Sequence, residues 1–167
     1  MNSNLQRYRP VLFEFGSLTG GIMGELKDIL EEPNPYPLMG SQGYMDPHVA
    51  ETGVFWCVQR DVYAYGVILI SMLEMKVVDK DHTDDTIILL PTVKADYERE
   101  RMWRREAECS VAYPRFFLEQ GYHHRDAHLV TVLGMQCMEK GPKLRPKMNK
   151  VFKRLQTLRI VRDKRCL

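Results

Sequence analysis

Across 167 residues there is no paired-cysteine motif, no long hydrophobic run and almost no surplus of charge. Cys57, Cys109, Cys137 and Cys166 lie far apart without a C-x-x-C pair, and no apolar leader segment follows Met1. No disulfide framework is expected from such spacing, and the chain reads as a reduced, intracellular and cytoplasmic protein. The longest uncharged apolar stretch, Val62 to Leu73, falls well short of the about 20 residues that span a bilayer. Asn2 in place of Gly gives no myristoylation signal, and Cys166, next to last, gives no prenylation box. With 24 Lys and Arg against 22 Asp and Glu, the formal charge is +2, so the chain as a whole makes no case for binding nucleic acid. No internal repeat appears. A hydrophobic share of 44% and a charged share of 28% are globular values, and one domain over residues 1–167 is expected, large enough for a core without disulfides or metal.

The near-neutral total conceals an asymmetry. Glu139 to Leu167 holds eleven Lys and Arg against two acids, a net of +9, while Met1 to Met138 nets −7. Val11 to Phe15 reads as a short strand, and Gly16, Gly20, Gly21 and Gly24 follow it. Pro33, Pro35 and Pro37 forbid a helix there and predict an extended loop. Residues 60–76 form the clearest element: Asp61 stands near a helix start, and Val62 to Met75 is apolar almost all round, which predicts a helix at the centre of the fold. Lys94 to Glu108 predicts a polar helix with five residues of each sign, an ion-paired surface despite Trp103. Two more helices are expected, over 125–139 and 146–160, parted by Gly141-Pro142. The last has Pro146 at its first turn and Met148, Val151, Phe152, Leu155 and Leu158 on one face.

Four motifs follow one another along this frame: Phe13-Glu14-Phe15-Gly16, the run Gly40 to Pro47 (G-S-Q-G-Y-M-D-P), the run Arg60 to Val67 (R-D-V-Y-A-Y-G-V), and Leu144-Arg145-Pro146-Lys147-Met148. Together they resemble the C-terminal lobe of a protein kinase, closest to plant receptor-like and receptor-like cytoplasmic kinases. Glu14-Phe15-Gly16 resembles the magnesium-binding D-F-G motif with one change. The second and third runs resemble the end of the activation segment (G-T-x-G-Y-[ML]-D-P-E) and the start of the central helix (S-D-V-Y-S-F-G-V). Arg145-Pro146-Lys147-Met148 resembles the R-P-x-M box. The resemblance implies a mainly α fold, a protein-kinase-like C-terminal lobe around one buried central helix with the small lobe absent, and an activation-segment-like stretch over 14–48.

The same resemblance implies roles for single residues. Asp61 corresponds to an Asp that anchors the catalytic loop, and Gly66 to a glycine that lets helices approach closely. The family's Asp-Pro-Glu carboxylate forms a buried ion pair with the Arg of the R-P box, here Arg145. Asp46-Pro47-His48 puts His48 where that Glu belongs. Removing one partner of a buried pair costs about 3–5 kcal/mol. Either Arg145 takes another partner, such as Glu51, or the end of the segment is loosened. Ser41 and Tyr44, with Ser17 and Thr19, occupy positions that kinases phosphorylate.

Kinase chemistry needs a Gly-rich phosphate loop, a strand Lys paired to a helix Glu, and a catalytic-loop Asp and Asn, all preceding the D-F-G position. Thirteen residues precede Glu14, and none forms such a motif. Glu14 is also longer than the Asp that would hold Mg²⁺ in its near-ideal octahedron. The expectation is therefore no enzyme: a pseudokinase with no catalytic residue, no cofactor and no metal. His124-Arg125-Asp126 spells a catalytic-loop signature out of order, with Thr131 where the Asn belongs, and reads as a charged turn opening a helix. His124 and His128, at i and i+4 beside His123, have a spacing that can hold zinc, but no further ligand completes a site.

Within the family, Glu51-Thr52-Gly53-Val54, His48 and the R-P-K-M box look most like the ZRK group of plant cytoplasmic pseudokinases. That resemblance implies an adaptor or decoy in innate immune signalling. Its partners would be an NLR-type immune receptor and active receptor-like cytoplasmic kinases, with no nucleic acid, no integral membrane segment, and peripheral contact with the plasma membrane through those partners. Two alternatives stand beside it: a Ser/Thr kinase fragment needing its missing parts in trans, or a gene remnant whose central helix is left partly uncovered. The basic tail reads as a solvated helix face or, more sharply, as a surface for an acidic partner.

Overall fold

The computed structural model describes residues 43–48, 58–76, 90–103 and 109–163. All of these fall within Gly40–Leu167, one compact unit. Glu14, Phe15 and Gly16, the expected strand from Val11 to Phe15, Ser17, Thr19, Ser41 and Glu51 lie outside the described residues. Among the described residues every regular element is helical. They are α1 (Gln59–Glu74), α2 (Leu90–Trp103), a 3₁₀ turn at Pro114–Leu118, α3 (His124–Cys137), a second 3₁₀ turn at Pro142–Leu144, α4 (Met148–Leu155) and α5 (Arg159–Asp163).

The apolar run that predicts a central helix makes α1. Asp61 sits in its first turn, where a carboxylate complements the positive end of the helix dipole. The helix closes at Met75, which adopts a left-handed φ of 54° and sends its N–H back to the Met72 carbonyl, while Lys76 N–H reaches Ser71 O at 3.1 Å. That is the usual helix stop with Met where Gly is favoured.

Val62, Val67 and Ile70 are fully buried, but Ile68, Met72 and Met75 are exposed at 43%, 67% and 53%. The helix is therefore core on one side and open on the other, rather than enclosed all round, because no described element packs over that second side.

α1 crosses α3 where two glycines meet. A Cβ on Gly66 would lie 2.7 Å from Cys137 Cβ and 2.9 Å from the Gly134 carbonyl, so only hydrogen fits between the backbones. A Cβ on Gly134 would lie 2.8 Å from the Ile70 methyl. Around this crossing the core forms two clusters. Tyr63, Val67 and Ile70 of α1 join Tyr97 of α2, Cys109, Met135 and Met138. Val62 and Leu69 join Leu133, Cys137 and Val151 of α4. Burial pushes the Cys137 thiol up to about 11, so it packs as an inert apolar group.

Two of the expected helices differ in extent. α2 begins at Leu90, ahead of Lys94. The last expected helix is two: Pro146 precedes α4 in extended chain, and the path turns at residues 156–158 before α5. Of the expected apolar face, Val151 and Leu158 are buried, but Phe152 is 60% exposed and Met148 37%.

Candidate functional site

The chain is ordered around Arg145 by local rules. The Pro142–Leu144 turn ends at Arg145, and Pro146 restricts it to an extended conformation (φ −71°, ψ 144°). The side chain so directed is wholly buried, and every N–H of its guanidinium is used. Nε donates to Glu139 O at 2.7 Å; Nη1 donates to Gln59 O at 3.0 Å and to Asp46 Oδ2; Nη2 donates to Asp46 Oδ1 at 2.8 Å and to Lys140 O at 3.2 Å. Its Cζ also lies 5.1 Å from the centre of the Tyr63 ring, within cation–π range. A fork with five donors meeting a bidentate carboxylate and three carbonyls is the arrangement that makes a buried cation tolerable.

Asp46 is the other half of this pair, 3% exposed between the exposed Met45 and Pro47. Its Oδ1 accepts the His48 N–H at 3.0 Å, closing a short turn around Pro47. Burial by itself would raise the Asp46 carboxyl. The Arg145 hydrogen bonds, the His48 N–H and the neighbouring positive charge outweigh it and hold the group below its usual range. Burial, with the Asp46 charge behind it, pushes the Tyr63 phenol up. Tyr44 lies half-buried against the cluster that contains Tyr63.

Arg145 thus has another partner, the first of the two options that the sequence suggests, but it is Asp46 and not the Glu51 named as an example. Glu51 lies outside the described residues, and the end of the Gly43–His48 stretch is fastened. Asp46, two residues ahead of His48, supplies the carboxylate. The available signal was the coincidence of a missing Glu at 48 with an acid nearby in the same turn.

The remaining sequence candidates are dispersed. Asp61 is exposed on the first turn of α1, and Gly66 lies at the helix crossing. The look-alike triplet has structural duties. Both Asp126 oxygens accept backbone N–H groups of α5, from Arg159 and Ile160, each at 3.0 Å. Buried Thr131 donates to Ala127 O at 2.8 Å and accepts the Val111 N–H at 3.2 Å, tying α3 to the 109–113 strip. His128 Nδ1 donates to Cys109 O at 2.7 Å, and His124 faces the Tyr122 hydroxyl at 3.3 Å. Among the described residues no three His, Cys, Asp or Glu side chains converge as metal ligands. Nor is any described helix long and apolar enough to cross a membrane.

No protein-family model matches the chain. Curated relatives do. It is 29% identical over 157 residues to the probable serine/threonine-protein kinase PBL11 of Arabidopsis thaliana, an alignment covering 93% of this chain and 37% of that protein. The serine/threonine-protein kinase PBL34 of the same plant is 32% identical over 127 residues, 75% of this chain and 24% of that one. The probable serine/threonine-protein kinase PBL4, also from Arabidopsis thaliana, is 27% identical over 151 residues, 90% and 34% of the two chains.

The chain therefore spans about a third of the length of such relatives or less. These proteins correct the expectation that the chain is no enzyme, because each is named a kinase. The expectation rested on phosphate-binding parts missing from 167 residues, and a stretch that matches a third of a kinase is not required to contain them. By sequence and by helical architecture, the chain is a homologue of plant receptor-like cytoplasmic serine/threonine kinases, with the form of a kinase C-terminal lobe.

Proposed function

We propose that the chain works as a protein-binding lobe in plant immune signalling, an adaptor or decoy of the ZRK kind, engaging an NLR-type immune receptor and receptor-like cytoplasmic kinases. The observation that carries this reading is the sealed Asp46–Arg145 pair. It pins the Gly43–His48 stretch to the lobe and leaves Met45 and Pro47 outward. A surface loop held in one conformation loses little freedom when a partner docks on it.

Co-purification from plant cells with an NLR-type receptor tests the reading. The wild-type chain should recover the receptor and Asp46→Ala should lose most of it. Equal recovery by both, or none by the wild type, overturns the proposal.

A second reading is favoured by the names of the relatives: the lobe takes part in phosphoryl transfer to Ser or Thr, with the other parts supplied in trans. Mg²⁺-dependent transfer from labelled ATP to a protein substrate, abolished by Glu14→Ala, would carry it. Transfer that is unchanged by Glu14→Ala, or absent with the parts supplied, removes it.

A further inference from the structure

A cavity of about 600 Å³ opens beside the end of α1. Four segments wall it: Leu73 and Met75 at the close of α1, Phe116 from the first 3₁₀ turn, Ala127 and Val130 from α3, and Leu158 just ahead of α5. Room is left because two wall positions, Ala112 and Ala127, are small, and both are buried. The walls are tied to one another. Tyr113 N–H donates to Leu73 O at 2.8 Å, Asp126 holds the first two N–H groups of α5, and the Phe117 and Tyr122 rings pack 5.2 Å apart.

The edge of the cavity is polar. Arg115 and Glu119 both line it and both are exposed. Among the described residues neither makes an ion pair or side-chain hydrogen bond, with the other or elsewhere. Asp126 lines it too, but each of its oxygens already accepts a backbone N–H. His123, also in the lining, has ring nitrogens that serve as donor or acceptor. The cavity thus joins an apolar interior to an edge with one donor-only cation and one acceptor-only anion, each unmatched.

We propose that this cavity binds a small uncharged molecule with a largely apolar body and a hydroxyl or amide at one end. Its size falls within the about 300–1,000 Å³ of small-molecule sites, which form between packed helices and are mostly apolar with a few polar groups. The edge decides the polar end of the ligand. A hydroxyl or amide both gives and takes a hydrogen bond, so one such group serves Glu119 and Arg115 together. A carboxylate would suit Arg115 but be repelled by Glu119, and an ammonium would suit Glu119 but be repelled by Arg115. The site uses none of residues 43–48 and is independent of the protein-binding reading.

Fluorescence titration of the full chain with N-phenylnaphthylamine, a neutral dye that brightens in apolar surroundings, tests it. The dye should bind saturably at a single site, and phenylbutanol should displace it. Phenylbutylamine and phenylbutanoate share the same body but carry a charge. Each should compete about tenfold less well than the alcohol.

Substitutions at the edge should move the two charged competitors in opposite directions. Glu119→Gln should put phenylbutanoate ahead of phenylbutylamine, and Arg115→Gln should put the amine ahead. Both replaced side chains are exposed, so unchanged circular dichroism checks that these variants remain folded. Ala127→Leu, which fills the cavity from α3, should lower dye binding about tenfold or more. If that variant unfolds, the two edge variants alone decide. Undiminished binding by a folded Ala127→Leu chain, a competitor order that ignores both edge substitutions, or no saturable binding by the folded wild type overturns the proposal. Many dye molecules per chain, with no preference among the three competitors, also overturns it and gives the signal to exposed apolar surface at large.

Discussion

The basic C-terminal stretch holds two kinds of cation, set a few residues apart. Arg145 is buried, and all five of its N–H groups are matched, two of them to Asp46. Lys143, Lys147, Lys150 and Lys153 are exposed and have no partner among the described residues. A count of charge treats the five alike. In the fold, the first is a fastener whose loss strands a carboxylate in the core, and the others are a surface whose loss leaves the core untouched.

The largest effect that sharpens this contrast is on the fastener. Arg145→Met should destabilise the chain by about 3–5 kcal/mol in denaturant unfolding, because Asp46 is left buried and uncompensated. Replacing both residues by apolar ones should recover a large part of that loss. At the helix crossing, Gly66→Ala should cost about 1–3 kcal/mol, since its Cβ meets the Cys137 Cβ and a backbone carbonyl, neither of which can swing away. Gly134→Ala should cost less in the same assay. Its nearest obstacle is the end of the Ile70 side chain, and alanine favours the helix by about 1 kcal/mol.

Acid acts on the buried pair. The Asp46 carboxyl is depressed in the folded state, so its contribution is fully present above the unfolded value of about 3.9. That contribution is lost as pH falls below this value and through the lower folded one. Thermal unfolding followed downward from pH 6 should show the loss only below about pH 4, and Asp46→Asn should flatten that part of the profile. A variant with Lys143, Lys147, Lys150 and Lys153 all replaced by Gln should lie within about 0.5 kcal/mol of the wild type in unfolding, and a larger loss would mean that these lysines are structural after all.

Much of this architecture was legible in the sequence because it depends on pattern. The uninterrupted apolar run from Val62 yields α1 to within two residues at either end, and the motif order identifies the lobe. Other features depend on direction, which a one-dimensional pattern does not record. The partner of Arg145 is Asp46 because the turn around Pro47 brings that carboxylate inward. The split between α4 and α5 has no glycine or proline to announce it. It is made by Asp126 capping Arg159 and Ile160 from 33 and 34 residues away, and by the Thr157 hydroxyl bonding back to Arg154 O at 2.6 Å. For the same reason periodicity groups Phe152 with Val151, although one is open and the other closed.

The account stands on Asp46 serving Arg145 in place of a carboxylate at position 48. The most direct measurement is a double-mutant cycle on Asp46→Ala and Arg145→Met by denaturant unfolding. The two changes should be coupled by about 2 kcal/mol or more, with the double variant losing well less than the sum of the single losses. Additivity within about 0.5 kcal/mol would contradict it.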